Sequence, residues 1–180
     1  MRRALGFSLI ELVMVMVLVG IVSTIAIGRF SDGKESDAAL YANRIASLMR
    51  YGQKLAIAQQ RPVFVSFSTD LVTNEARVSL CYTVNCSSQV PAPGGMNSGT
   101  SRTTSKCVSS TWYCEAQPPG ITVSYNATSP IFWFSPSGMP FDYRDAVTAT
   151  ASTYSQINFT SSYGSVSYTV LVEPGTGYVH

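Results

Sequence analysis

Residues 9–27 read LIELVMVMVLVGIVSTIAI, an apolar run that carries one charge, Glu11. With Phe7 and Ser8 in front and Gly28 behind, about 20 residues are available, enough for a helix to cross the hydrocarbon core of a bilayer. Arg2 and Arg3 precede the run, which predicts that the N-terminal end stays in the cytoplasm and the bulk is exported. The segment Gly28-Arg29-Phe30-Ser31-Asp32-Gly33 then weakens the helix, since glycine costs about 1 kcal/mol relative to alanine in a helix interior. A bend or local melting is expected there. From Lys34 a helical period resumes: Ala38, Ala42, Ile45, Met49, Gly52 and Ala56 recur at spacings of three and four, flanked by Tyr41, Leu48 and Leu55. Arg44, Arg50 and Lys54 fall largely on other faces. This is the pattern of an amphipathic helix. It should stop near Gln60, because Pro62 disfavours helix at Arg61.

Beyond Pro62 the period changes to two. Residues 62–68 and 76–82 read as paired strands around a turn at 70–75. Further strands are predicted at 121–125, 131–134, 156–159 and 166–172, with a short terminal one at 177–180. Residues 85–120 are rich in Ser, Thr, Gly and Pro and hold three of the four cysteines, so a long constrained loop is expected.

Composition narrows the function. The chain has 180 residues, one domain's worth, and at 46% hydrophobic and 12% charged it is too apolar to be disordered. Its 12 basic residues face 10 acidic ones, and past the first six residues both kinds number ten. Nucleic acid is therefore not expected as a partner. The single histidine, His180, leaves no His-based metal cluster and no Ser/His/Asp triad. No enzyme activity, cofactor or metal is expected.

Glu11 is the anomaly. A carboxylate in the first turns of a membrane helix is costly and marks function by default. A removable secretory signal would leave it unexplained, and no small-x-small cleavage pattern is well placed behind the run. Arg2-Arg3-Ala4-Leu5-Gly6 followed by Phe7-Ser8-Leu9-Ile10-Glu11 and an apolar run resembles the N-terminus of type IV pilins and type II secretion pseudopilins. The resemblance implies a leader over residues 1–6, cleavage after Gly6 by a prepilin peptidase on the cytoplasmic side, and methylation of the new Phe7 amine. It also implies that Glu11 pairs with the Phe7 amine of a neighbouring subunit, an ammonium that would neutralise the buried carboxylate. Residues 132–138 and 170–179 resemble the strand-turn and closing hairpin of the pseudopilin H and FimT-like minor subunits.

The implied fold is α+β, of pilin type. A long N-terminal helix, with a membrane and filament-core half at 7–28 and an amphipathic half at 29–61, would pack on a small antiparallel head at 62–180. The implied function is that of a minor pilin in assembly or adhesion. A minor pseudopilin of a secretion system, or a tip subunit that binds DNA or a surface, is the alternative. Implied partners are other pilins, the peptidase, the inner membrane and its assembly platform. Implied location is the inner membrane of a bacterium, with the head periplasmic, and then the filament.

In the exported part, Cys81, Cys86, Cys107 and Cys114 read as two disulfides. Three pairings are possible, and the local one, Cys81–Cys86 with Cys107–Cys114, is preferred because it would pin the loop. The CxxxxC and CxxxxxxC intervals do not suit zinc. Trp112 has two readings, a contact surface for a neighbour or ligand and a cover for the loop's own small core. Trp133 reads as core. Arg102 and Lys106 make a slight basic patch on an expected solvated loop, and Asp142, Arg144 and Asp145 a surface ion cluster.

Overall fold

The computed structural model describes residues 8–30, 33–69, 75–126 and 130–180, with residues 24–30 described by backbone alone. Helix α1 spans Leu9–Phe30 and α2 spans Gly33–Gln59. The strands are β1 (Val63–Thr69), β2 (Ala76–Cys81), β3 (Cys114–Ala116), β4 (Thr122–Tyr125), β5 (Ile131–Phe134), β6 (Pro140–Asp142), β7 (Ile157–Tyr163) and β8 (Val166–Val172), and a short helix α3 covers Ser101–Lys106. All pairings are antiparallel. They form one sheet in the order β3-β2-β1-β5-β6 and a second in the order β4-β7-β8. The α+β class expected from the sequence is what the chain adopts.

The stripe read from the sequence is the face that α2 buries. Ala38, Ala42, Ile45, Met49, Gly52 and Ala56 are all buried, with Tyr41 and Leu48 beside them, while Arg44, Arg50 and Lys54 are exposed. Each large side chain such as Leu48 or Met49 contributes roughly 1.5–3 kcal/mol by leaving water. Gly52 sets how closely α2 approaches β2, since a Cβ there would lie 2.9 Å from Leu80 Cδ2. The helix closes on Gln60, which takes φ +51°, with the N–H of Gln60 donating to Ile57 and that of Arg61 to Ala56. That hydrogen-bond pair is a Schellman turn, built here on a residue other than glycine.

Both sheets face α2. Val63, Val65 and Phe67 from β1 and Phe132 and Phe134 from β5 join Phe159 and Val170 of the second sheet in one core. Phe67 ties the sheets together by stacking with Tyr125, Phe132 and Phe159. The outer face of the first sheet is covered as well. There Phe64, Cys81 and Trp133 lie in a separate apolar cluster with Cys107, Trp112, Cys114 and Phe141. The sheet is thus sandwiched between α2 and a lid made from the disulfide segment and the residues around β6.

Three expectations need correction. The segment expected as loop at 85–120 contains α3 and β3. Thr100 caps α3, its Oγ1 accepting from the Thr103 N–H at 3.2 Å, and a polar hexapeptide without an apolar stripe forms a helix on that cap. The expected terminal strand reduces to a bridge between Val172 and Val179, with Leu171 and His180 exchanging backbone hydrogen bonds. Trp112, one of whose readings was an exposed contact, is only 4% exposed.

Candidate functional site

Two regions carry the residues singled out by sequence, the start of α1 and the lid. At the first, Ser8 precedes the helix and its Oγ accepts from the Glu11 N–H at 3.4 Å, while its carbonyl accepts from Glu11 and Leu12. Ser8 with Glu11 three positions later is the spacing of a capping box, a signal the motif reading passed over. Glu11 itself is exposed, and among the described residues its carboxylate forms no ion pair. Gly6 and Phe7 lie outside the described residues.

From Leu9 at 82% to Val22 at 64% the large apolar side chains of α1 are exposed, a continuous apolar surface that a lone chain in water would not keep. Among the residues whose side chains are described, no helix is long and apolar enough to cross a membrane. Those described side chains stop at Ser23, short of the apolar run's end at Ile27.

In the lid, the cysteines pair locally, Cys81 with Cys86 and Cys107 with Cys114, at Cα separations of 5.0 and 6.1 Å. Trp112 sits between them and the sheet, and its indole N–H donates to the Leu80 carbonyl at 2.7 Å. A tryptophan held by its only polar atom is a structural cover, which corrects the contact-surface reading. Trp133 is core, as expected, stacked on Phe141 at 4.5 Å between ring centroids.

Arg102 and Lys106 are not a solvated loop patch. From α3 both reach Glu75, at the start of β2: Arg102 pairs with one carboxylate oxygen, and the Lys106 ammonium lies 3.4 Å from the other. A cleft of about 190 Å³ opens between α2 and α3, lined by Arg44 and Arg102 but also by Asp37, so its charge is mixed. Asp142 and Arg144 pair at 2.8 Å, and the Arg144 hydrogen bond holds the Asp142 carboxyl below its ordinary range. Asp145 instead fastens a turn, accepting from the Asp142 N–H and from Thr153.

Glu115 went unnoticed in the sequence. It is 3% exposed, accepts from the Ser98 N–H at 3.2 Å and from the Thr103 hydroxyl at 3.4 Å, and its carboxyl is pushed up by burial. Among the described residues no group of three or more His, Cys, Asp or Glu is arranged to hold a metal ion.

Residues 1–27 match the family model of the prokaryotic N-terminal methylation motif. The chain carries that motif. The resemblance to type IV pilins and pseudopilins, read from Gly6, Phe7 and Glu11, is borne out by this match over the N-terminal segment. No curated relative matches the chain. Among solved structures, the type IV minor pilin FimU of Pseudomonas aeruginosa (strain PAO1) in space group P21 is similar at 11% identity, over 83% of this chain and 88% of that one, with a TM-score of 0.47. The same protein in space group P65 gives 12% identity, 81% and 90% coverage and a TM-score of 0.44. Likeness at this level leaves the fold to be read from this chain's own elements.

Proposed function

We propose that the protein is a minor pilin, a structural subunit of a type IV pilus. The methylation motif over residues 1–27 carries this reading. In it, residues 1–6 are a leader removed by a prepilin peptidase after Gly6, and Phe7 becomes an N-methylated amino terminus. Residues 7–28 anchor the subunit in the inner membrane and later lie in the filament core, residues 29–61 hold the head, and residues 62–180 form it.

The exposed apolar surface of α1 supports burial in lipid first and among neighbouring helices afterwards. Glu11, without an ion pair among the described residues, supports a role in assembly. An incoming subunit offers it the Phe7 ammonium, and a buried carboxylate that costs several kcal/mol alone is then neutralised. Other pilins and the inner-membrane assembly platform are the partners this requires. The role is structural, with no reaction assigned to the head.

The test is the mass of the N-terminal peptide, from cells with and without the peptidase. A peptide that begins at Phe7 and is heavier by one methyl group is expected with the peptidase, and an intact Met1 end without it. Cleavage behind Val22 would overturn the proposal. Replacing Glu11 by alanine should leave the head folded and processed while subunits fail to enter filaments.

A further inference from the structure

The lid does not cover the whole outer face of the first sheet. Beside the apolar cluster, the outward positions of β1 and β2 change to Ser66, Ser68, Arg77 and Ser79, with Ser66 directly opposite Ser79 and Ser68 opposite Arg77. These four floor a pocket of about 250 Å³, walled by Asn85 beside the first disulfide and by Trp112.

The floor is chemically unfinished. Ser66 and Ser79 are 9% and 1% exposed, and neither hydroxyl has a hydrogen-bond partner among the described residues. Buried hydroxyls are ordinarily paired, because one left without a partner costs free energy. Both hydroxyls keep some access to solvent, and each opens onto the pocket. The other polar groups are already oriented. Arg77 donates through Nε to Ser68 Oγ and through Nη1 to the Lys106 carbonyl, both at 2.7 Å, and its guanidinium stands 5.7 Å over the Trp112 ring. That leaves its remaining N–H groups to a ligand. Asn85 Oδ1 accepts from the Ser87 N–H, which leaves the Nδ2 group to donate.

We propose that this pocket binds one sugar unit of a glycan. Serine hydroxyls both donate and accept, as ring hydroxyls do, while Arg77 supplies donors only and Asn85 supplies its amide N–H groups. Val84 and Ile131 on the walls offer apolar surface for the C–H face of a pyranose. An inorganic anion fits less well, since the pocket holds one guanidinium, already partly engaged, and anion sites gather several cations or backbone N–H groups. A nucleobase would need an open aromatic face, and Trp112 is 4% exposed. The pocket lies on the face of the sheet turned away from α2, so it stands apart from the filament reading.

The experiment is saturation-transfer NMR on the full chain in a detergent without a sugar headgroup. The methyl glycosides of glucose, galactose, mannose and N-acetylglucosamine and free N-acetylneuraminic acid serve as probes, with inorganic sulfate as competitor. Transfer to ring protons of at least one sugar is expected. Ser79→Ala should weaken that binding about tenfold, the effect of one lost buried hydrogen bond. Asn85 is exposed, and Asn85→Ala loses only its bond from the Ser87 N–H, so it should weaken binding while the head stays folded, which covers the case in which Ser79→Ala unfolds. No transfer from any of the five sugars would overturn the proposal. So would binding that both variants leave unchanged, or sulfate displacing every sugar that binds.

Discussion

The side-chain amide of Gln53, on α2, donates to the carbonyl of Gly138 at 2.9 Å, in the turn between β5 and β6. The same nitrogen donates to the Thr176 carbonyl at 3.0 Å, so one side chain fastens the helix to two turns of the head. Gly177 completes the knot. It takes φ +68°, and a Cβ there would run into the Gly138 carbonyl and the Gln53 amide. Gln53→Ala should cost about 1–2 kcal/mol, the net worth of two hydrogen bonds of which one is exposed. Gly177→Ala should cost more, on the order of 2–4 kcal/mol, because backbone strain adds to the clash. Urea unfolding of the two variants checks the order.

Trp112→Ala should destabilise the protein by about 3–5 kcal/mol, the range for truncating a buried aromatic, and it strands the Leu80 carbonyl as well. Thermal unfolding by near-ultraviolet circular dichroism reads this directly. A contact-surface tryptophan would instead leave the melting temperature where it was.

Removing Cys107 and Cys114 together should cost about 2–3 kcal/mol, from the loop entropy returned to the unfolded chain. Removing Cys81 and Cys86 opens a loop of similar length and should cost about as much on that account. The first pair also flanks Trp112 in the outer cluster, so its loss should be the larger of the two. Guanidinium titrations of both double variants decide it.

Gln60→Gly should stabilise. Its φ of +51° puts a side chain in the left-handed region, at a cost of roughly 1–2 kcal/mol that glycine avoids. Part of that gain is lost to glycine's unfolded-state entropy and to the Gln60 Nε2 bond with the Ile57 carbonyl, leaving about 0.5–1 kcal/mol. A rise of a few degrees in melting temperature is expected, about 2–4 °C per kcal/mol at this size.

The pH dependence follows from Glu115. Burial raises its folded pKa above the unfolded value, so its contribution to stability is fully present below the unfolded pKa and is lost as pH rises through the folded one. Asp142 runs oppositely: its folded pKa is lowered, and its contribution is lost as pH falls. Glu115→Gln should therefore flatten the decline in stability above the ordinary carboxyl range and leave the acid limb in place. Melting temperatures across a pH series compare the two chains.

The sequence disclosed the elements that obey a long period. The α2 stripe from Ala38 to Ala56 was legible because it repeats its apolar positions several times, and strands β1, β2, β5 and β8 because each is a short run rich in β-branched or aromatic residues bounded by turn residues. Strands β3 and β6, at three residues each, are too short to show a period, and α3 has no apolar face to betray it. The Glu75 bridge to Arg102 and Lys106 joins residues far apart in the chain, which no local pattern encodes. One available signal went unused. Val63-Phe64-Val65 and Phe132-Trp133-Phe134 do not alternate, and unbroken apolar runs in strands mark sheets covered on both faces. The shift from those runs to Ser66, Ser68 and Ser79 then marks where the outer cover ends.

The two-faced first sheet separates two histories for the same molecule. Its inner side is bound to α2, and through α2 to whatever packs on the helices in the proposed filament role. Its outer side is covered by the lid, which the two short disulfide loops and Trp112 hold in place, while Val90 and Tyr113 tie the same segment to the core beneath α2. Within residues 82–113, the stretches between the anchors Tyr82, Val90 and Tyr113 are therefore the ones with most room to vary. They can diverge or lengthen while the long helices and the core they bury stay unchanged.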